Sequence, residues 1–344
     1  MSAISGGAAP VPVGTRVGSK KRYAAARQSR DRFVRFWRRL TQSRKTFAGL
    51  VILLIFLLIA LFGPWIDSQS PSAMSGAVLQ GPSTAHWLGT TQTGQDVAAQ
   101  LLDGTRFTLL VSFGAAAVAT VIALIIGIGG GYLGGIGGEV LSMLSNCFLV
   151  IPALPLVIVL AGYLPNKGGI SLILVLALTG WAWGARILRA QTLSLRRRDF
   201  VLAARVAGER SWRILFSEIL PHVMPIAASG FVFTVIFAIV TQSSLAFLGL
   251  GDVTTWSWGT MLYWAQNNSA LGLGAWWWFV PPGLCIGLVG MALALINFGI
   301  DDFVNPRLRV TDLRRRGRRA ARLSVAEVLA PHASDSAVVE AVGK

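Results

Sequence analysis

Few side chains in this sequence could carry out chemistry. The 344 residues include two cysteines and three histidines: Cys147, Cys285, His86, His222 and His332. Their wide spacing fits neither a disulfide framework nor a thiolate or histidine metal site, so both cysteines are predicted to be small, buried apolar residues. His86 is predicted to pack or hydrogen-bond within a loop. These residue types therefore predict no metal centre.

A glycine cluster, Gly127–Gly138, suggests a phosphate-binding loop at first sight. Gly129, Gly131 and Gly134 fit G-x-G-x-x-G, but a dinucleotide site needs a preceding strand, and here an apolar span precedes the cluster. The glycine spacing instead predicts close helix packing followed by a tight turn. No G-x-x-x-x-G-K-[ST] motif occurs in the sequence, so the chain has no P-loop with which to hydrolyse ATP.

A polar, arginine-rich segment between apolar spans, Asp199–Pro225, contains the residues best suited to a partner. Its first part predicts a short helix, Phe200–Ala207, with Asp199 as the N-cap and Gly208 as the C-terminal stop. The small side chains of Ala203 and Ala204 would let another surface approach closely. We therefore interpret this segment as a docking element.

The second part of this segment predicts another helix, from Ser211 to Leu220, which Pro221 interrupts or kinks. Three arginines are predicted to face water or acidic groups of a partner: Arg205, Arg210 and Arg213. The alternative is an ordinary basic loop that only connects two spans, although such a loop would not need two capped helices.

The elements that position this segment are apolar. The chain is 53% hydrophobic and 13% charged, with a mean hydropathy of +0.61. About 20 apolar residues are needed to cross a bilayer as a helix. Six stretches are predicted to do so: Phe47–Trp65, Phe107–Gly130, Val140–Leu164, Ile170–Ala185, Ile226–Leu250 and Trp276–Ile300.

The distribution of basic residues predicts the orientation. Of 31 lysines and arginines, twelve precede the first span, eight lie in Arg186–Arg213, and nine follow residue 306. With six crossings these three groups lie on one side, which the positive-inside rule makes cytoplasmic. Both termini and Asp199–Pro225 are therefore predicted to be cytoplasmic. Anionic lipids explain the net charge of +16 better than nucleic-acid binding does, despite the basic run Arg314–Arg319.

The spans lack the side chains of a proton relay. No Asp, Glu, Lys or Arg occurs in residues 107–138, 140–166, 219–251 or 253–300. Since ion-coupled transporters usually carry titratable groups in the membrane, this pattern favours energy supplied by a partner. The external tryptophans, among them Trp256, Trp258, Trp264 and Trp276–Trp278, predict an aromatic belt more strongly than a contact with cargo.

The docking segment resembles the motif shared by ABC-importer permeases: Glu-Ala-Ala, three residues, Gly, nine residues, Ile, any residue, Leu-Pro. Five residues match this motif: Ala203, Ala204, Gly208, Leu220 and Pro221. Leu202 stands at the glutamate position and Glu218 at the isoleucine position.

Other segments resemble the peptide-type branch of this family. In residues 86–112, which resemble the entry to the permease core, the matching residues are His86, Leu88, Gly89, Thr90, Gly94, Asp96, Gly104 and Arg106. Ser243–Gly251, Ser257–Leu262 and Asn305–Arg309 also resemble this branch. The span before Pro64 and Trp65 resembles the N-terminal extension of the second, C-type permease of oligopeptide and dipeptide importers. The resemblance covers about residues 40–309.

This resemblance implies an all-α polytopic membrane protein with six transmembrane helices, the type I ABC-importer permease fold and cytoplasmic termini, in a bacterial inner membrane. The expected divisions are a basic region (1–46), a first transmembrane helix (47–65), an extracytoplasmic loop with the core entry (66–106), a five-helix core (107–300) containing the coupling segment 186–225, and a basic tail (301–344).

The resemblance also implies partners and a site. The partners are a second homologous permease, two cytoplasmic ATPases, an extracytoplasmic binding protein and membrane lipids, without nucleic acid. ATP and Mg would be bound by the ATPases, and this transport subunit would have no cofactor and no enzymatic activity. The residues expected at the ATPase contact are Asp199, Leu202, Ala203, Ala204, Arg205, Gly208, Leu220 and Pro221.

Peptide cargo is the expectation within this family. Nickel complexes and oligosaccharides stay open as cargo of the same family. An ATP-independent secondary transporter or channel is the alternative from another class.

Overall fold

Helices account for most of the residues that the computed structural model describes, which are 43–66, 69–164 and 168–304. In chain order they are α1 (Arg44–Ile66), α2 (Val97–Leu133), α3 (Gly135–Val150), α4 (Ala153–Tyr163), α5 (Gly169–Leu195), α6 (Asp199–Val206), α7 (Ser211–Arg213), a π-helical segment (Ile214–Ile219), α8 (Leu220–Phe247), α9 (Trp258–Asn267) and α10 (Trp276–Val304). The predicted features of the two basic ends, including Asn305–Arg309 and Arg314–Arg319, lie outside the described residues.

Within the described residues, five helices are long and apolar enough to cross a membrane: α1, α2, α5, α10 and the continuous run Ser211–Phe247 that contains α8. Helix α2 begins ten residues before the predicted start at Phe107. The reason is Asp96, whose Oδ1 accepts a hydrogen bond from the Ala99 amide at 3.0 Å and caps the helix at Val97. The last part of the predicted loop 66–106 is therefore helical.

The sixth predicted span, Val140–Leu164, is not one straight helix. It consists of α3 and α4, which are bent by 92° relative to each other. Pro152 explains the break, because proline disfavours the helical conformation of the residue before it, and Ile151 is extended with φ −74° and ψ 125°. The bundle thus has six spans only if this bent pair is counted as one.

The glycine cluster packs α2 against α5 and then turns the chain, as predicted. A Cβ atom at Gly127 would lie 2.6 Å from the Ala185 carbonyl oxygen, and one at Gly131 would lie 2.6 Å from Thr192 Cβ. Only glycine permits this approach of the two helices. Gly134, with φ +63°, then makes the turn into α3.

Several tryptophans at the other end of the bundle pack inside the protein. Trp258 is completely buried, and its indole N–H donates a hydrogen bond to Thr105 Oγ1 at 3.0 Å. The Trp277 indole donates to the Thr90 carbonyl at 3.2 Å and so holds the loop before α2. Trp276 is 54% exposed. The predicted aromatic belt is therefore wrong for the buried Trp258 and Trp278.

His86 has the loop role that the sequence predicts. Its Nδ1 lies 2.7 Å from Asp96 Oδ2, which connects the loop to the cap of α2. Within the described part of the chain, no three His, Cys, Asp or Glu residues are grouped as a metal site requires. Cys147 is exposed on α3, so the prediction that both cysteines are buried is wrong for that residue.

Asp252, in the loop between α8 and α9, organises a turn. Its carboxylate accepts hydrogen bonds from the Thr254 hydroxyl (2.6 Å), the Thr255 hydroxyl (2.7 Å) and the Thr254 amide (2.9 Å). The hydroxyl donors, that of Thr254 first, lower the pKa of Asp252 below its ordinary value. The turn is therefore stabilised by the ionised carboxylate.

Candidate functional site

Helix α6 is short and has two different faces. Val201 is fully buried, and Ala204 packs against the same buried cluster three residues later. Leu202, Ala203 and Val206 are exposed, Val206 to 90%. Residues three or four positions apart share a helix face, which explains this division. One face attaches α6 to the bundle, while the other, here called the outer face (Leu202, Ala203 and Val206), is exposed.

The N-terminus of α6 differs from the prediction by one residue. Arg198 occupies the N-cap position with extended backbone angles, φ −78° and ψ 149°, and gives no side-chain cap. Asp199 is the first helical residue and is exposed, so its assignment as N-cap is wrong. In the first turn its carboxylate is still favourable, because the helix dipole places partial positive charge there.

Gly208 ends α6 as predicted. Its φ of +80° is in the left-handed region. The Gly208 amide donates to the Arg205 carbonyl and the Glu209 amide donates to the Ala204 carbonyl, both at 3.0 Å. These two bonds form a Schellman motif, which fixes the direction of the chain after the helix. Apart from its chain neighbours, no described residue has an atom within 4 Å of a Cβ built on Gly208, so the turn projects away from the described bundle.

Pro221 does not interrupt the second helix, so of the two predicted effects, an interruption or a kink, the first is wrong. The chain is helical from Ser211 to Phe247, and the turn before the proline is a π-helix, in which the Leu220 amide donates to the Leu215 carbonyl. This wider turn explains the continuity, because a proline ring would otherwise clash with a carbonyl of the preceding α-helical turn.

The docking segment is fixed firmly to the long helices. Its fully or almost fully buried apolar residues belong to one core cluster with α2 and α5: Val201, Ile214, Ile219 and Val223. Burying each such side chain contributes about 1.5–3 kcal/mol. The Phe200 and His222 rings also stack, with centroids 5.0 Å apart. A force on α6 is therefore transmitted to the helices behind it.

The three arginines differ in their surroundings. Arg205 and Arg210 are exposed, as predicted, but the Arg205 guanidinium also lies 5.1 Å from the centroid of the Tyr132 ring at the end of α2. Arg213 forms an ion pair with Glu209 at 3.1 Å. Arg205 and Arg213 therefore make contacts within the chain, and the Arg205 contact links α6 to α2.

The eight predicted site residues therefore lie in different environments. Leu202 and Ala203 lie on the outer face, Gly208 forms the turn, and Ala204 and Leu220 pack against the core. Asp199, Arg205 and Pro221 are exposed.

Three exposed apolar residues were missed by the sequence reasoning: Val206, Trp212 (60% exposed) and Phe216 (66% exposed). The sequence could have indicated them, because these apolar residues do not lie on the helix faces that contain the buried Val201 and Ile214. Such exposed apolar groups beside charged ones are typical of a surface that a partner covers.

Two family models match this sequence. The first is described as the binding-protein-dependent transport system inner membrane component and matches residues 119–310, which include the whole docking segment. The second is the N-terminal TM domain of oligopeptide transport permease C and matches residues 32–82.

Curated relatives extend over most of the chain. It is 34% identical to the dipeptide transport system permease protein DppC of Bacillus subtilis (strain 168), over 79% of this chain and 85% of that protein. It is 32% identical to the oligopeptide transport system permease protein OppC of the same organism, over 79% and 88%. A chain of the inward-facing MetNI methionine ABC transporter aligns with a TM-score of 0.47 and 20% identity, over 60% of this chain and 94% of that one.

Proposed function

The chain belongs to the binding-protein-dependent inner membrane permeases, in their oligopeptide and dipeptide branch, and from this membership we propose how it works. It forms, with a second homologous permease, the path by which peptides cross a bacterial membrane. Two cytoplasmic ATPases hold ATP and Mg and drive the cycle. An extracytoplasmic binding protein delivers the cargo.

The observation that carries this proposal is the two-faced helix α6. Its outer face is apolar and exposed, while its inner face is held by the buried Val201 and by Arg205 over Tyr132. An ATPase that grips the outer face would therefore displace α2, α5 and α8 together. A loop that merely connected two spans would need neither this anchoring nor the Schellman stop at Gly208.

The proposed topology has six spans, with the bent pair α3–α4 counted as one, and both termini in the cytoplasm. The basic residues support it, because 29 of 31 lie in the three groups that six crossings put on one side (12 + 8 + 9). The docking segment then faces the cytoplasm, where the ATPases are.

The test is reconstitution of the assembled transporter with its binding protein in proteoliposomes. ATP-dependent peptide uptake is expected, and it should disappear without either the ATPases or the binding protein. Flux that needs no ATP and collapses with the proton gradient would instead support a secondary transporter.

Val206→Asp tests the docking contact directly. A charge on the apolar outer face should reduce copurification of the ATPases about tenfold, because an unpaired charge in an interface is costly. Val78→Asp is the matched control, since Val78 is also exposed (55%) but precedes α2 at the other end of the bundle. Equal copurification in both variants would contradict the docking role.

A further inference from the structure

A cavity of about 740 Å³ lies between α2, α5, α8 and α10. Ile226 and Ala227 line it, and both pack with the core cluster that holds the docking segment. The cavity therefore opens in the half of the bundle nearest that segment. Its wall is mainly apolar and aromatic, with Trp181, Trp183 and Phe233 among the lining residues.

One polar cluster interrupts this wall. Asn297 and Asp301 are one helical turn apart on α10 and line the cavity together with Ser229 of α8. The Ser229 hydroxyl lies between Asn297 Oδ1 and Asp301 Oδ1, 3.1 Å from the latter. The Asn297 amide group is 3.5 Å from Asp301 Oδ2. Asn297 is 8% exposed and Ser229 is half-buried, whereas Asp301 is exposed, so its carboxylate is accessible to a ligand.

The hydrogen bonds in this cluster leave the carboxylate largely available. Ser229 has one hydroxyl hydrogen to share between two acceptors, and the Asn297 amide is at the limit of hydrogen-bond distance. An ionised carboxylate offers about four acceptor positions. Among the described residues that line the cavity, Asp301 is the sole acidic or basic one, so none of them balances its charge.

These features define the chemistry of a ligand. A carboxylate with free acceptor positions suits a donor that carries positive charge and several N–H groups. Exposed aromatic faces attract the same kind of cation, and Trp183 and Phe233 are 61% and 60% exposed. An unblocked peptide carries such a group, because its terminal amine is largely protonated at neutral pH.

We propose that Asp301, with Ser229 and Asn297, binds a primary ammonium group of the peptide cargo within this cavity. The apolar wall accommodates the rest of the peptide. This inference rests on the proposed function, which supplies the peptide. It assigns to this permease a cargo contact of its own, in the half of the path nearest the ATPases.

Equilibrium binding tests the assignment without the binding protein. Radiolabelled trialanine and N-acetyl-trialanine are measured against the assembled transporter in nanodiscs. Asp301→Asn should weaken trialanine binding about threefold to tenfold, as expected for one partly exposed ion pair with aromatic support. It should leave binding of the acetylated peptide unchanged, and Asp301→Glu should retain most of the wild-type affinity.

Glu139→Gln is the matched control, because Glu139 is exposed on α3 and lies outside this cavity. Thermal unfolding and ATPase copurification verify that Asp301→Asn assembles. An unchanged trialanine affinity in Asp301→Asn, an equal loss for both peptides, or no binding to the wild type would overturn the assignment. ATP-dependent uptake by the wild type is independent of these results, so the proposed function can stand while this inference fails.

Phosphatidylethanolamine also carries a primary ammonium group, so the nanodiscs are prepared with and without this lipid. A cargo site loses trialanine affinity on Asp301→Asn in both preparations. If Asp301→Asn instead released bound phosphatidylethanolamine and left trialanine affinity unchanged, the cluster would be a lipid site and the assignment to cargo would be wrong.

Discussion

Gly208→Val should uncouple ATP hydrolysis from peptide uptake. The residue has φ +80°, a conformation that costs a side-chain-bearing residue about 1–2 kcal/mol. A cost of this size changes the population of the native turn by a factor of about 5–30. No atom within 4 Å would clash with a new Cβ, so the effect comes from the backbone and from whatever partner occupies the open space.

The assay is the number of peptides taken up per ATP hydrolysed in proteoliposomes. We expect Gly208→Val to lower this ratio at least fivefold while the protein still inserts and assembles, because the buried residues of the docking segment are untouched. Gly208→Asn should keep the turn better, since asparagine tolerates the left-handed region.

Gly135→Val is the matched control for Gly208→Val. Gly135 also has positive φ (+53°) and open space around its Cβ position, but it is the first residue of α3 and lies outside the docking segment. It should therefore retain the wild-type ratio. A normal ratio in Gly208→Val, or an equal loss in Gly135→Val, would refute the reasoning.

Three further predictions concern stability, each measured by thermal unfolding in detergent. Gly127→Ala should destabilise the bundle by about 1–3 kcal/mol, because its Cβ would lie 2.6 Å from the Ala185 carbonyl; Gly129→Ala, with its nearest neighbour at 3.9 Å, should be nearly neutral. Asp96→Ala should cost about 1–2 kcal/mol through loss of the α2 cap, and no change would contradict that role. The pKa of Asp252 is lowered on folding, so its contribution to the free energy of unfolding is complete above the unfolded pKa of about 3.9 and is lost as the pH falls through the folded pKa. The difference in stability between the wild type and Asp252→Asn should therefore shrink in acid. A difference in stability that stays constant with pH would contradict this role.

Much of the bundle could be predicted because long apolar runs indicate membrane spans from the local sequence alone. The five long spans and the stop at Gly208 follow directly from such signals. Pro152 lies inside the run Val140–Leu164, whose apolar length alone predicts a single span. A proline's effect depends on the turn before it: Pro152 breaks the helix, whereas Pro221 follows a π-helical turn and does not.

The contacts across the bundle could not be predicted from one sequence. The position of Arg205 over Tyr132 joins residues far apart in the chain, and no local pattern indicates it. Tryptophan is a residue type common at membrane interfaces, yet the fold buries Trp258, and Thr105 Oγ1 accepts the hydrogen bond from its indole N–H. Two residues of the outer face, Leu202 and Ala203, were predicted to contact a partner. Once the start of a helix is known, the spacing of three or four residues determines which side chains share a face.

The central claim is that the outer face of α6 contacts an ATPase, and site-directed crosslinking tests it most directly. In a background with Cys147→Ser and Cys285→Ser, Val206→Cys is labelled in the assembled transporter with a short reagent that is thiol-reactive at one end and photoreactive at the other. Val201→Cys, at a buried position on the other face of α6, is the control. We predict an adduct between permease and ATPase for Val206→Cys and none for Val201→Cys. The absence of an ATPase adduct at position 206 in an intact complex would contradict the account.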